Sequence, residues 1–262
     1  PEATAEVYRR LPGPPAGAAA RRAPGDPELL RAQLFRAVEG APTPEAKVRH
    51  LRTLLNEARR AGLYAQIARM LAPLFSQLWP SPATATLAEP IVEVAIAGGD
   101  LELARRWAET QANLQHWLAL IELSDPQSRL VGQSGLSYLQ NLAVNGRLAA
   151  AALHRVVTVL DALNVTVPLR LWEAAGRGAQ PKGGYLPETG VLAELAQAAQ
   201  QKQAGRTILL VMRALGPDGP EGANFLALGE SIRALRQAGL ETDARRLAVE
   251  SLFGIWPRTS GG

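Results

Sequence analysis

No cysteine occurs in this chain, which excludes disulfides, thiol catalysis and cysteine-bound zinc. No apolar run approaches the roughly 18–20 residues needed to span a bilayer. Aromatic residues make up only 5% of the sequence, too few for a typical β-sandwich core. The three histidines, His50, His116 and His154, are scattered, and none has a ligand neighbour at metal-binding spacing. No Gly-x-x-x-x-Gly-Lys-Ser/Thr order appears, and the acids of Gly216–Gly222 do not alternate as in a calcium loop. These gaps leave no catalytic residue, no metal ligand and no cofactor site to nominate.

Alanine is abundant, hydrophobic residues are 47% and charged residues 20% of 262 positions. That composition suits helix-on-helix packing through small contacts, with enough chain to bury a sizeable core. Net charge is +4, but it is unevenly spread: residues 1–70 carry +5, residues 71–170 carry −2 and residues 171–262 carry +1. Basicity is therefore local to the N-terminal part. Arginine outnumbers lysine 25 to 3, which matches a GC-rich bacterial genome.

One stretch occurs twice. Gly99-Asp-Leu-Glu-Leu-Ala-Arg-Arg-Trp-Ala108 and Gly239-Leu-Glu-Thr-Asp-Ala-Arg-Arg-Leu-Ala248 share Gly, Ala, Arg, Arg and Ala in register. Each reads as a helix end, a glycine turn, an acidic first turn and a second helix with small contact positions. Gly62 and Arg69 keep the spacing of Gly239 and Arg246, as a weaker third copy.

Along the chain, residues 1–25 read as a linker or disordered arm, with a docking contact at Glu6-Val7-Tyr8. Asp26-Pro27 and Thr43-Pro44-Glu45 each open a helix. Return helices follow at 63–78, 84–97 and 100–122, and 133–145 is expected to pair with 147–163 through Asn145-Gly146. A segment at 168–175 leads to the Gly/Pro-rich loop 176–187, a candidate domain boundary. Helices are expected near 188–204, 206–215, 222–238 and 241–254, with 258–262 as a tail. Segments 156–160 and 206–212 also fit buried strands by period alone, but their surroundings favour helix. The domains expected are thus an arm at 1–25, a hairpin array at 26–175, the loop, and a C-terminal bundle at 188–257.

Gly followed by Ala five residues later and Ala four further on, as in Gly99, Ala104, Ala108 and Gly239, Ala244, Ala248, resembles the inner turn of tetratricopeptide-type hairpins. The turn glycines 62, 99, 146, 205 and 239 keep no fixed period of roughly 34 residues, and no Trp-x-x-Leu-Gly opening occurs. The resemblance implies an all-α fold: an irregular superhelix of about twelve helices in antiparallel hairpins, TPR-like, with a binding or scaffolding habit.

The candidate partner-binding residues are Arg49, Arg52, Arg59 and Arg60, which share one face of the second helix, and Trp117 and Trp172. Glu45 shares the arginine face, and no aromatics interleave with it, so nucleic acid is disfavoured. Leu186-Pro-Glu-Thr-Gly190 spells a sortase signal but lacks the hydrophobic span and basic tail that belong with one. Glu230-Ser231 and Glu250-Ser251 match the Glu-Ser pair of lytic transglycosylases without the accompanying Gly-Leu-Met-Gln segment.

The expected function is a non-catalytic adaptor or scaffold that offers a groove to a protein or peptide, with a lean towards the cell envelope or periplasm. The alternatives are a helical accessory domain of a larger envelope enzyme or transport system, and a helical carrier of a small ligand or lipid. The chain begins at Pro1, which leaves room for a signal peptide, an anchor or a further domain before it.

Overall fold

Both copies of the repeated stretch build the same turn. Gly99 and Gly239 take φ of 82° and 87°, a left-handed conformation that a Cβ disfavours. In each, the residue after glycine donates its N–H back across the turn, Asp100 to Ala95 O and Leu240 to Leu235 O, both at 2.8 Å. These bonds satisfy carbonyls that a helix end leaves unpaired.

The structure, a computed structural model, describes residues 2–10, 27–125 and 133–258. Among them are fifteen α-helices and no strand, so the fold is all-α. Segments 156–160 and 206–212 are helical. The Asp26 cap and most of the expected arm and tail lie outside the described residues.

Two compact units are formed, Pro1–Leu114 and Gln115–Gly262. The first contains α1 (Glu2–Arg10), α2 (Pro27–Gly40), α3 (Pro44–Arg60), α4 (Tyr64–Phe75), α5 (Ala88–Gly98) and α6 (Leu101–Ala108). Its centre is α5, which packs on α4, α6 and α3. Every residue from Ala88 to Ile96 is buried, as expected of a helix that is apolar nearly all round. Phe35, Leu51, Leu54, Leu71, Phe75, Ile91 and Trp107 complete the core. Thr43 caps α3 by accepting the Ala46 N–H at 3.2 Å. Within the segment expected as an arm, α1 forms a helix whose Tyr8 meets Phe35 edge-on, with ring centres 6.1 Å apart, while Arg9 pairs with Glu39 at 2.7 Å.

The expected helix 100–122 is broken. It stops at Ala108, and α7 (His116–Ser124) begins the second unit. The Thr110 hydroxyl donates to Trp107 O at 2.8 Å, competing for a carbonyl that the next helical turn would need. The two units divide within this break.

The second unit continues with α8 (Gln133–Val144), α9 (Ala150–Ala162), α10 (Leu169–Arg177), α11 (Val191–Gln200), α12 (Ala204–Leu215), α13 (Gly219–Gly222), α14 (Phe225–Gln237) and α15 (Glu241–Phe253). Here α14 is central, packing on α9, α11, α12 and α15. The expected pairing of 133–145 with 147–163 is not the main contact: α8 packs on α7 and α10, and α9 on α14 and α10. Gly135 permits the first of these, because a Cβ there would lie 2.5 Å from Ala119 N. The turn expected at Gly205 falls instead at Lys202, with φ of 56°, and Gly205 is inside α12.

The 176–187 loop is stitched into this unit. Tyr185 donates its N–H to Gly222 O at 2.9 Å and accepts from Asn224 N at 3.0 Å, the one isolated β-bridge among the described residues. The Tyr185 ring occupies the place a Cβ on Gly216 would need.

Candidate functional site

The α3 arginines divide into two kinds. Arg59 lies 4.5 Å over the Tyr64 ring and pairs with the Glu93 carboxylate, which also accepts from the Tyr64 hydroxyl at 2.9 Å. Glu93 belongs to α5 and is 8% exposed, so Arg59 balances the charge of a nearly buried carboxylate and the Tyr64 hydroxyl supplies a further hydrogen bond to it. Arg60 pairs with Glu57 one turn back on its own helix, at 2.6 Å. Arg49 and Arg52 lie exposed on the earlier turns of α3, with Glu45 exposed before them. Arg59 and Arg60 are therefore committed to ion pairs within the first unit.

The two candidate tryptophans also differ. Trp117 is fully buried on α7, edge-on to Phe253 at 6.3 Å and tilted against Trp256 at 6.5 Å. It is core, and it drops out of the candidate surface. Trp172 on α10 is 46% exposed, with Leu169 exposed one turn earlier. Trp79 is exposed under the Arg106 guanidinium at 4.5 Å, while Trp256 is buried.

An exposed apolar face on α12 is one that sequence reading did not single out. On α12, Leu210, Val211, Ala214 and Leu215 point into the unit. The opposite side presents Ile208, Leu209 and Met212, which are 41%, 68% and 65% exposed. With Gly205 they fall at i, i+3, i+4 and i+7, a single stripe along the helix. One margin of the stripe is polar and fixed: Arg206 pairs with Glu194 at 3.7 Å, and Arg213 pairs with Glu188. A helix apolar on both sides was legible in 204–215; which side the fold covers was not.

The second unit also has an open recess of about 500 Å³ between the start of α9, the 181–184 loop, the 221–225 segment and the end of α15. Arg155, Lys182 and Glu221 reach it, beside Phe225 and Ile255. Burial pushes the Arg155 guanidinium below its ordinary value, and the Glu221 charge offsets part of this. Next to the recess-lining Ser251, the Glu250 carboxyl is held above its ordinary value, first by desolvation and then by Glu221. No group of three His, Asp or Glu residues among the described ones is arranged to hold a metal ion. His116 is buried with Nε2 2.7 Å from Pro257 O, and His154 lies against Phe225. No helix among the described residues is long and apolar enough to cross a membrane.

No family model, no curated protein and no solved structure matches this chain.

Proposed function

We propose that this chain is a non-catalytic helical scaffold or adaptor that binds a protein or peptide partner, in a bacterial cell-envelope assembly. The observation that carries the reading is the outer stripe of α12. Three long apolar side chains stand exposed in register on a helix whose other face is already packed. An amphipathic helix or apolar peptide laid along Ile208, Leu209 and Met212 would remove this surface from water at helical spacing, the mode used by helix-in-groove recognition. The exposed Arg49 and Arg52 of α3 and the Leu169–Trp172 edge of α10 are secondary contact candidates.

The recurring turn supports a tetratricopeptide-like reading of the helix pairs as antiparallel hairpins in an irregular superhelix. With Lys202 in place of Gly205, the left-handed turn residues Asn164, Lys202 and Gly239 are about 37–38 positions apart, as are Gly62 and Gly99, while Gly146 falls outside that spacing, in keeping with an irregular array.

The test compares the wild-type chain with a Leu209→Glu/Met212→Glu variant and an Arg49→Glu/Arg52→Glu variant as baits for an envelope extract, followed by reconstitution with the purified captured protein. The α12 variant should lose the partner while keeping its melting temperature. A partner held equally by all three baits would remove α12 from the reading. Failure to capture any partner, together with turnover of an envelope substrate, would overturn the adaptor reading itself. The accessory-domain alternative predicts that the captured partner is an enzyme or transporter. A lipid carrier needs a closed apolar cavity, and the recess in the second unit is open and carries three formal charges.

A further inference from the structure

Glycine weakens a helix, yet Gly205 stands in the first turn of α12, and a Cβ there would meet nothing within 4 Å. No contact among the described residues calls for a glycine at this position. It begins the outer stripe, which continues with Ile208 and Leu209 and ends at Met212, the longest apolar side chain on that face. Gly205 and Met212 lie equally far along the helix from a point midway between Ile208 and Leu209. The stripe is therefore symmetric in spacing and opposite in size at its two ends.

Such a face complements itself. Two antiparallel copies related by a two-fold axis at that midpoint set Gly205 of one against Met212 of the other, twice, with Ile208 and Leu209 between. The long thioether side chain then fills the space that the glycine leaves. A parallel pairing would oppose Met212 to Met212 and leave a void at Gly205. The charged margin agrees with the antiparallel arrangement. Arg206 with Glu194, and Arg213 with Glu188, lie on the same side of the stripe. The two-fold brings the first pair of one copy beside the second pair of the other. Each pair carries no net charge, so the margins meet without net repulsion.

We propose that α12 docks on α12 of a second copy of this chain, antiparallel, about a two-fold axis between Ile208 and Leu209. This rests on the reading of α12 as a docking face and names its occupant. A face one helix wide, about 10 Å, and about 18 Å long covers less than the roughly 800 Å² per partner of a standard interface. The dimer is therefore reversible, with a dissociation constant of about 10–100 μM.

Analytical sedimentation of the purified full chain from about 1 to 500 μM should show a monomer–dimer equilibrium. Gly205→Leu, which fills the space Met212 enters, and Leu209→Glu/Met212→Glu should each weaken the dimer about tenfold or more. Melts at low concentration check folding; all three positions are exposed, so the monomer should tolerate both variants. Because the chain has no cysteine, single introduced thiols report the register. A short bismaleimide should link Leu209→Cys to itself, and Gly205→Cys to Met212→Cys when the two variants are mixed. Gly205→Cys alone and Met212→Cys alone should stay unlinked, because the axis sets like positions about 10 Å apart along the helix. A chain still monomeric at about 500 μM, a dimer unaffected by Gly205→Leu, or links between like positions at 205 or 212 would each overturn the inference. A monomer that still loses a captured envelope protein on Leu209→Glu/Met212→Glu overturns the dimer and keeps the docking face. A monomer that binds nothing through α12 overturns both.

Discussion

Arg245 reaches out of its own helix to cap another: its Nη1 donates to the Leu123 carbonyl at 3.2 Å, at the end of α7. Its Nε is held by Glu241 at 2.8 Å, and the other oxygen of that carboxylate accepts from Arg236 at 3.0 Å. Arg236 in turn donates to Ala162 O at the end of α9, at 3.1 Å. One glutamate in the first turn of α15 therefore orients two cations onto two helix C-termini, where positive charge is favoured. Arg245→Ala should destabilise the protein by about 2–3 kcal/mol, and Arg246→Ala, an exposed neighbour, by less than about 0.5 kcal/mol. Chemical denaturation of the two variants measures the contrast, and equal losses would contradict this division of labour.

In the first copy of the stretch the other arginine of the pair reaches a helix end. Arg106 caps Ser76 O at 3.2 Å and stacks on Trp79, while Arg105 pairs with Glu102 at 3.8 Å. The same dipeptide serves two different neighbours.

Lys202 holds a left-handed conformation at φ of 56°, which costs a residue with a Cβ about 1–2 kcal/mol. Its ammonium donates to Gln237 O, an exposed contact that recovers part of that cost. Lys202→Gly should raise stability by about 0.5–1 kcal/mol, and Gly239→Ala, at φ of 87°, should lower it by about 1 kcal/mol or more. Opposite signs in paired thermal melts are the expected result.

Glu93 is the buried acceptor for both Arg59 and the Tyr64 hydroxyl. Tyr64→Phe should cost about 1 kcal/mol, and Glu93→Leu should cost less than Glu93→Ala, because leucine fills the space the carboxylate leaves. A cycle with Arg59→Met reports the coupling: the loss at Glu93 should shrink by at least about 1 kcal/mol once Arg59 is absent.

Glu250 gives a pH dependence with a definite sign. Its folded carboxyl titrates above its ordinary value, so the folded state binds the proton more tightly than the unfolded chain. Below the ordinary glutamate range the group is protonated in both states and contributes the same. As pH rises through that range and then through the raised folded value, ionisation increasingly disfavours the native state. Glu250→Gln should therefore melt with the wild type at low pH and above it at pH 7. A variant that melts lower at pH 7 would refute the assignment.

The helices themselves were legible in the sequence because they rest on local physics. Thr43-Pro44 opens α3, Gly99 and Gly239 close their helices, and the apolar period of α3 and α15 is intact. Two local exceptions were not legible. Lys202 took the turn assigned to Gly205, and Thr110 ended a helix that its apolar neighbours would have continued.

Tertiary packing decided everything that depends on what covers what. The arginine face of α3 reads as one patch, yet Glu93, thirty-four positions from Arg59, claims one of its members. Trp117 and Trp172 read alike, but only the first lies where α15 closes over it. The stripe on α12 carries no motif, because its exposure depends on which neighbours the fold lays against the helix. Local sequence sets backbone conformation and periodicity; burial and charge pairing are sums over distant residues, and only the folded chain brings those together.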